Sequence, residues 1–253
     1  MGKYNDIDLK NWREYLGDIT TDALWISKET KSELLNYPIH VVPKRNNFPK
    51  NSSVFHGLFI PEIPYQAMLR FTKKGDTVWD CFGGSGTTKR VGDILQRKTI
   101  LNDLSPKEPY IKQGDSTTWN PGKQVQMIMM HPPYHDAVKY SEKNNDGSNQ
   151  TGVEGFLKWF EDVVKNVTPW LEKDRFLVLV IANIYRDGEE KTTGVWCSDI
   201  VRKYGFKLKS QIIKDNGDCK VNNPKEYNLK YYRELRFNFN NLYGDNIFYL
   251  QKM

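Results

Sequence analysis

The 253-residue chain is poor in cysteine and histidine, and neither is spaced for a metal. Cys81, Cys197 and Cys219 form no Cys-x-x-Cys pair and no Cys/His cluster. That excludes a zinc ribbon and a disulfide framework, and it points to a reducing compartment, the cytoplasm. The histidines are His40, His56, His131 and His135. Only His131 and His135 have helical spacing, and a proline pair lies between them, so no metal is expected there. No apolar run reaches the length of a membrane span. Residues Met1-Gly2-Lys3-Tyr4-Asn5-Asp6 lack the apolar core of a signal peptide. There is no Gly-Lys-Ser/Thr to hold a triphosphate and no GxGxxG turn for a dinucleotide.

What remains is a length suited to one sizeable domain with insertions, and a net charge of +6 with a pI near 9.0. A basic balance suits partners with phosphate backbones, without choosing DNA over RNA.

Thr77-Val78-Trp79-Asp80-Cys81-Phe82 is an apolar and aromatic run closed by Gly83-Gly84-Ser85-Gly86, and Thr87 to Leu95 follows as a helix. Glycines at a strand-to-helix turn let a ligand approach the backbone where a Cβ would clash. Asp80, at the carboxyl end of its strand, suits a cationic ligand better than a phosphate. A second strand, Lys98 to Asp103, also ends in an acid, 20 positions after Gly83. That is close to the roughly 20-residue offset of a ribose-binding carboxylate in nucleotide-binding βαβ units. A third acid, Asp115, follows Gln113-Gly114 and precedes Ser116, where it could accept from an adenine amino group. Each acid alone reads more readily as an exposed turn residue. Three at successive strand ends fit a doubly wound sheet, which binds ligands at the carboxyl ends of its strands.

The apolar run Val125 to Met130 leads into His131-Pro132-Pro133-Tyr134. Two prolines fix φ and remove two backbone donors, leaving a rigid turn whose carbonyls can face a ligand. Tyr134 adds an aromatic face on which an extracted base could stack. A base amino group is a poor nucleophile because its lone pair is delocalised into the ring. Accepting both of its hydrogens favours a pyramidal nitrogen, and the first residue of the turn would supply one acceptor.

These two stretches resemble the DNA amino-methyltransferases, N6-adenine or N4-cytosine. Their catalytic motif is Asp/Asn/Ser-Pro-Pro-Tyr and their cofactor motif resembles Asp-Pro-Phe-x-Gly-Ser-Gly-Thr-Thr. The resemblance runs from about residue 54 to 213. It implies S-adenosylmethionine as cofactor, double-stranded DNA as substrate, and a catalytic set of His131, Pro132, Pro133 and Tyr134. For the cofactor it implies Asp80, Phe82, Gly83, Gly84, Ser85, Gly86, Thr87, Thr88, Asp103, Leu104, Asp115 and Ser116, with Phe59, Ile60 and Pro61 closing the methionine pocket. Cys81 stands for the usual proline and His131 for the usual Asp, Asn or Ser. A neutral imidazole has one acceptor nitrogen and a protonated one has none, so activity should show an acid limb. Burial would lower the His131 pKa and nearby Asp136 would raise it, which leaves the direction open.

The expected fold is α/β: a Rossmann-like, seven-stranded, mostly parallel sheet with an antiparallel carboxyl-terminal strand pair and helices on both faces. Residues 1–53 form an amino-terminal extension available for DNA or partner contact, and 54–253 the methyltransferase domain. Helices are expected over 153–167 and 198–204, and strands over 176–183, 206–214 and 246–251. Residues 135–152 read as a polar, mobile loop at the mouth of the site. The motif order looks circularly permuted relative to many relatives, so their target-recognition region does not carry over. Recognition is left to residues 1–50, 135–152, 184–195 or 215–245, or to a homodimer or partner subunit. The last segment interleaves Lys220, Lys225, Lys230, Arg233 and Arg236 with Tyr227, Tyr231, Tyr232, Phe237 and Phe239. It suits either nucleic acid or a helix packed on the sheet. Methylation of adenine N6 is the leading reading. Cytosine N4, a non-catalytic DNA-binding subunit, and RNA or protein glutamine as substrate are the alternatives.

Overall fold

A computed structural model of the chain describes residues 3–8, 10–11, 24–26, 60–135, 139–215 and 244–253. In chain order the elements are β1 (Leu24–Ile26), α1 (Glu62–Phe71), β2 (Thr77–Asp80), α2 (Thr87–Ile94), β3 (Lys98–Asp103), β4 (Lys112–Gln113) and β5 (Val125–Met130). There follow α3 (Gly152–Val167), β6 (Leu171–Ile181), β7 (Ile184–Arg186), β8 (Glu189–Lys191), α4 (Thr193–Lys203), β9 (Phe206–Asp215) and β10 (Gly244–Lys252). The main sheet runs β1-β9-β10-β6-β5-β2-β3-β4. Only β10 is antiparallel to its neighbours, β6 and β9. The seven-stranded, mostly parallel sheet expected from the sequence is present, and β1 adds a short eighth strand parallel to β9.

Strand side chains alternate between two faces, and both faces are buried. Trp79, Ile128, Met130, Leu177 and Leu179 meet Phe156, Phe160 and Val164 of α3 and Cys197 and Val201 of α4. Their neighbours Val78, Met127, Met129, Val178 and Val180 meet Ile63, Ala67 and Met68 of α1 and Val91 of α2. Adjacent residues of one strand thus feed opposite cores, which is why these strands read as unbroken apolar runs.

Local boundaries depart from the sequence reading where polar residues conceal regular structure. β6 begins at Leu171, which still pairs with Val125 of β5; Glu172 to Arg175 form a bulge in that pairing, with Asp174 at φ 64. The presumed turn 184–195 holds a hairpin closed by Asp187 and Gly188, both at positive φ, a strong two-residue hairpin signal. Helix α4 starts at Thr193, five residues before the expected Ser198. The Thr193 hydroxyl donates to the Ala182 carbonyl, and Gly194 sits tightly against Asn183 and Asn246.

The described amino-terminal residues lie at the amino ends of the parallel strands. Asp6 pairs with Arg97, Lys3 with Asp174, and Asn5 Nδ2 donates to the Arg70 carbonyl. Most of segment 1–53 and of 215–245, with their candidate DNA contacts, lies outside the described residues. Among the described residues no helix is long and apolar enough to cross a membrane.

Candidate active site

β2 and β5 are parallel neighbours in register Asp80 with Met129. The glycine turn after β2 and the proline turn after β5 therefore leave the sheet side by side at its carboxyl edge. Asp80 is 1% exposed, buried beneath the glycine turn. Its carboxylate accepts from Phe82 N at 3.0 Å and from the Thr88 hydroxyl, tying the strand end to the first turn of α2. Burial, and secondarily the Asp103 charge, raises its pKa to about 6 against those hydrogen bonds. Gly86 sits at φ 80, and a Cβ there would enter the Tyr110 ring. The Ser85 hydroxyl in the same turn is buried with no hydrogen-bond partner among the described residues.

Asp103, ending β3, accepts from Gly84 N at 2.9 Å and Ser105 N at 2.8 Å. Asp115 lies two residues beyond β4 and accepts from Thr117 N and Oγ1, and from Asn145 Nδ2 at 2.6 Å. The three acids thus stand at the ends of β2, β3 and β4, the three strands nearest one end of the sheet. Ser116 is buried, its hydroxyl donating to the Cys81 carbonyl, so it supports the turn from below. Thr87 opens α2. Ile60 and Pro61 lead into α1, with Ile60 packed on the second core; Phe59 lies outside the described residues.

Sequence reasoning missed Asn102. Fully buried in β3, it accepts from Trp79 Nε1 at 2.7 Å and donates to Ser116 Oγ at 3.0 Å and the Gly114 carbonyl at 3.3 Å. An asparagine inside an otherwise apolar strand, beside its terminal acid, was the available signal.

In the second turn Pro132 is buried and Pro133 half-buried. Tyr134 packs on the first core, and its Oη lies 2.7 Å from His131 Nε2 and 2.8 Å from Asp245 Oδ1. Desolvation, reinforced by Lys214 and opposed by Asp245, lowers the His131 pKa to about 4, so the ring is neutral at pH 7. Desolvation, then the Asp245 charge, holds the Tyr134 phenol well above its usual range. Neither Asp245 nor Lys214 was visible as a site residue in the sequence.

The segment expected as a mobile loop has its own framework. Asp146 accepts from Ser148 N and the hydroxyls of Ser141 and Ser148. Asn149 Nδ2 donates to the carbonyls of Ser141 and Lys143. Lys143 Nζ donates to the Leu104 carbonyl at 2.6 Å, and Asn145 reaches Asp115. The stretch after the proline turn is thereby fastened across the ends of β3 and β4.

A family model described as DNA methylase matches residues 125–244, from the start of β5 through the proline turn to the first residue of β10. The glycine turn lies outside the matched residues. No curated protein matches the chain in sequence. Among solved structures, TrmN from Thermus thermophilus aligns with TM-score 0.49 and 16% identity over 80% of this chain and 51% of that one, so this chain spans about half of TrmN. A TehB-like SAM-dependent methyltransferase from Corynebacterium glutamicum gives 0.44 and 13% over 75% and 87%. The cyclopropane synthase MmaA2 from Mycobacterium tuberculosis gives 0.43 and 14% over 70% and 78%.

Proposed function

From the match of residues 125–244 to a family model of DNA methylases, we propose that the chain is an S-adenosylmethionine-dependent member of that family and methylates the exocyclic amino group of a flipped base in double-stranded DNA, adenine N6 ahead of cytosine N4. The observation that carries this reading is the adjacency of the two turns, set by the Asp80–Met129 register. It brings a candidate cofactor cradle against a candidate amino-group site.

The cradle suits the cofactor on its own features. A buried hydroxyl at Ser85 seeks a partner, Gly86 opens the backbone, and carboxylates end three successive strands. Asp103 would hold the ribose; an ionised carboxylate has about four acceptor sites, so its two backbone bonds leave capacity for hydroxyls. Asp115 would accept from the adenine amino group. Asp80 would act through the turn it anchors, with Phe82 and Ser85 to Thr88 shaping the methionine end and Ile60 and Pro61 closing it. When bound, the cofactor supplies an electrophilic methyl group on a sulfonium.

Toward the base, the proline turn would offer a carbonyl acceptor and neutral His131 a second. Tyr134 would place its ring against the flipped base while its hydroxyl is held from behind. Sequence choice is assigned to the basic, aromatic segment 215–245 or to a second subunit.

The test is incubation with isotopically labelled methyl donor and unmethylated duplex DNA, then digestion and nucleoside analysis. Label in N6-methyladenine is expected. Label in N4-methylcytosine would change the base but keep the reaction. Bound DNA with no label in any nucleoside would replace the enzyme by a DNA-binding subunit.

A further inference from the structure

The stretch after the proline turn ends in a loop that its own side chains hold. Asp146 takes Ser148 N and Oγ, while Asn149 and Gln150 donate to the carbonyls of Lys143, Asn144 and Asp146. Gly147 seats this loop on Trp159, where a Cβ would enter the indole. Trp159 Nε1 donates to the Asn145 carbonyl at 3.1 Å, and its ring lies 5.9 Å from that of Phe82, the residue before the glycine turn. The backbone of Asn145 is therefore placed from the side of the cofactor cradle.

Its side chain is exposed, and a hydrogen bond made in water fastens a loop only weakly. Yet it reaches 30 positions back, Nδ2 donating to Asp115 Oδ2 at 2.6 Å. The carboxylate orients the amide, because an amide oxygen turned toward it would be repelled. The pair has capacity left. Nδ2 carries two hydrogens and gives one to Asp115. Asp115 Oδ1 serves Thr117 N and Oγ1, whereas Oδ2 serves Asn145 alone among the described residues and keeps a lone pair. A spare hydrogen thus stands beside a spare acceptor, on two atoms already bonded to each other.

The adenine amino group presents the complementary pair: it donates, and the flanking ring nitrogens N1 and N7 accept. A carboxylate only accepts, so Asp115 by itself answers the amino group and leaves its neighbour unmatched. Resting on the S-adenosylmethionine reading of the cradle, we propose that Asn145 is a cofactor-binding residue, which donates its second amide hydrogen to a ring nitrogen flanking the adenine amino group while Asp115 accepts from that group. Together the two side chains select adenine. A base with a carbonyl in place of the amino group would turn a lone pair toward Asp115.

Calorimetric titration with S-adenosylhomocysteine and its 1-deaza and 7-deaza analogues, each with C–H in place of one flanking nitrogen, reads this without turnover. The wild-type protein should bind at least one analogue about 3- to 10-fold more weakly than the unmodified compound, the scale of one hydrogen bond. Asn145→Leu keeps the side-chain size and removes the donor. It should weaken the unmodified compound by that factor and no longer distinguish it from the analogue. A wild-type protein that binds all three alike overturns the assignment without any variant. So does Asn145→Leu that keeps the wild-type affinity for the unmodified compound, or that keeps the wild-type preference over the analogue, which would leave Asn145 a loop contact. Failure of the cofactor reading looks different: the wild-type protein then binds no S-adenosylhomocysteine at all, and this assignment falls with it.

Discussion

The indole N–H of Trp79 donates to Asn102 Oδ1 at 2.7 Å across the parallel pair β2 and β3, and both residues are fully buried. The same amide holds Ser116 and Gly114, so one side chain ties both strands to the turn carrying Asp115. Asn102→Leu keeps the volume and strands the indole hydrogen and the Gly114 carbonyl. The orphaned indole N–H, fully buried, costs about 1–3 kcal/mol, and the part-buried Gly114 carbonyl less. In a chain of this size that lowers Tm by about 2–4 °C per kcal/mol. Thermal unfolding followed by circular dichroism measures it; an unshifted melt would mean the indole finds another partner.

Acid should affect His131 late. Burial lowers its pKa to about 4, the Asp245 carboxylate pulling up and the Lys214 ammonium pushing down, with Glu62 facing Lys214 and the Tyr134 phenol beside the ring. An acid limb of activity belonging to this ring is therefore expected near pH 4, below the ordinary value of about 6.5. The stability effect has the matching sign. The unfolded chain takes up this proton first, so the contribution is complete above about pH 6.5 and is lost as pH falls toward 4. His131→Asn, which accepts through an oxygen that does not titrate in this range, should retain methylation and flatten the limb. A wild-type limb near 6.5 that vanishes in the same variant would show a ring open to water.

Asp103→Ala removes the acceptor of Gly84 N–H and Ser105 N–H along with the proposed ribose contact. Cofactor affinity should weaken by about 1–3 kcal/mol. Calorimetric titration with S-adenosylmethionine reads this directly, and an unchanged affinity would confine Asp103 to turn geometry.

Two glycines with nearly equal φ separate strain from crowding. Gly86 at φ 80 faces Tyr110, whereas Gly75 at φ 84 has nothing within 4 Å of its missing Cβ. Alanine at either position should destabilise the fold by about 1–2 kcal/mol for a left-handed residue. Only Gly86→Ala should also weaken cofactor binding, because Tyr110 must move off the turn. Equal binding by the two variants would remove Tyr110 and Gly86 from the cofactor site.

Much of the fold was legible because contiguous residues carry it. Lys98 to Asp103 reads as a strand ending in an acid, and it forms β3 with those bounds. Val125 to Met130 is apolar on every side because β5 is buried on both faces. Legibility failed where local polarity contradicts tertiary use. Glu172 to Arg175 continue β6 with charges because they bulge out of the β5 pairing between Leu171 and Phe176 and meet Lys3 and Asp76. Thr193 and Gly194 read as a turn and are helical because Ala182, Asn183 and Asn246 receive them closely.

For the site the division is similar. Residue types within two short stretches were enough to propose a chemistry, because glycines, prolines and a terminal tyrosine have properties that do not depend on distant partners. Three matters were decided only by the tertiary structure. Asp80 is buried under its own turn, because β2 is an interior strand covered on both faces. Asp115 is bridged to Asn145, because the stretch after the proline turn folds back over β3 and β4. The His131–Tyr134 pair is anchored by Asp245 and Lys214, because an antiparallel strand carries its first residues to the edge where parallel strands end. Local chemistry is set by neighbours in sequence; the protonation of a buried ring depends on charges that only strand pairing brings close to one another.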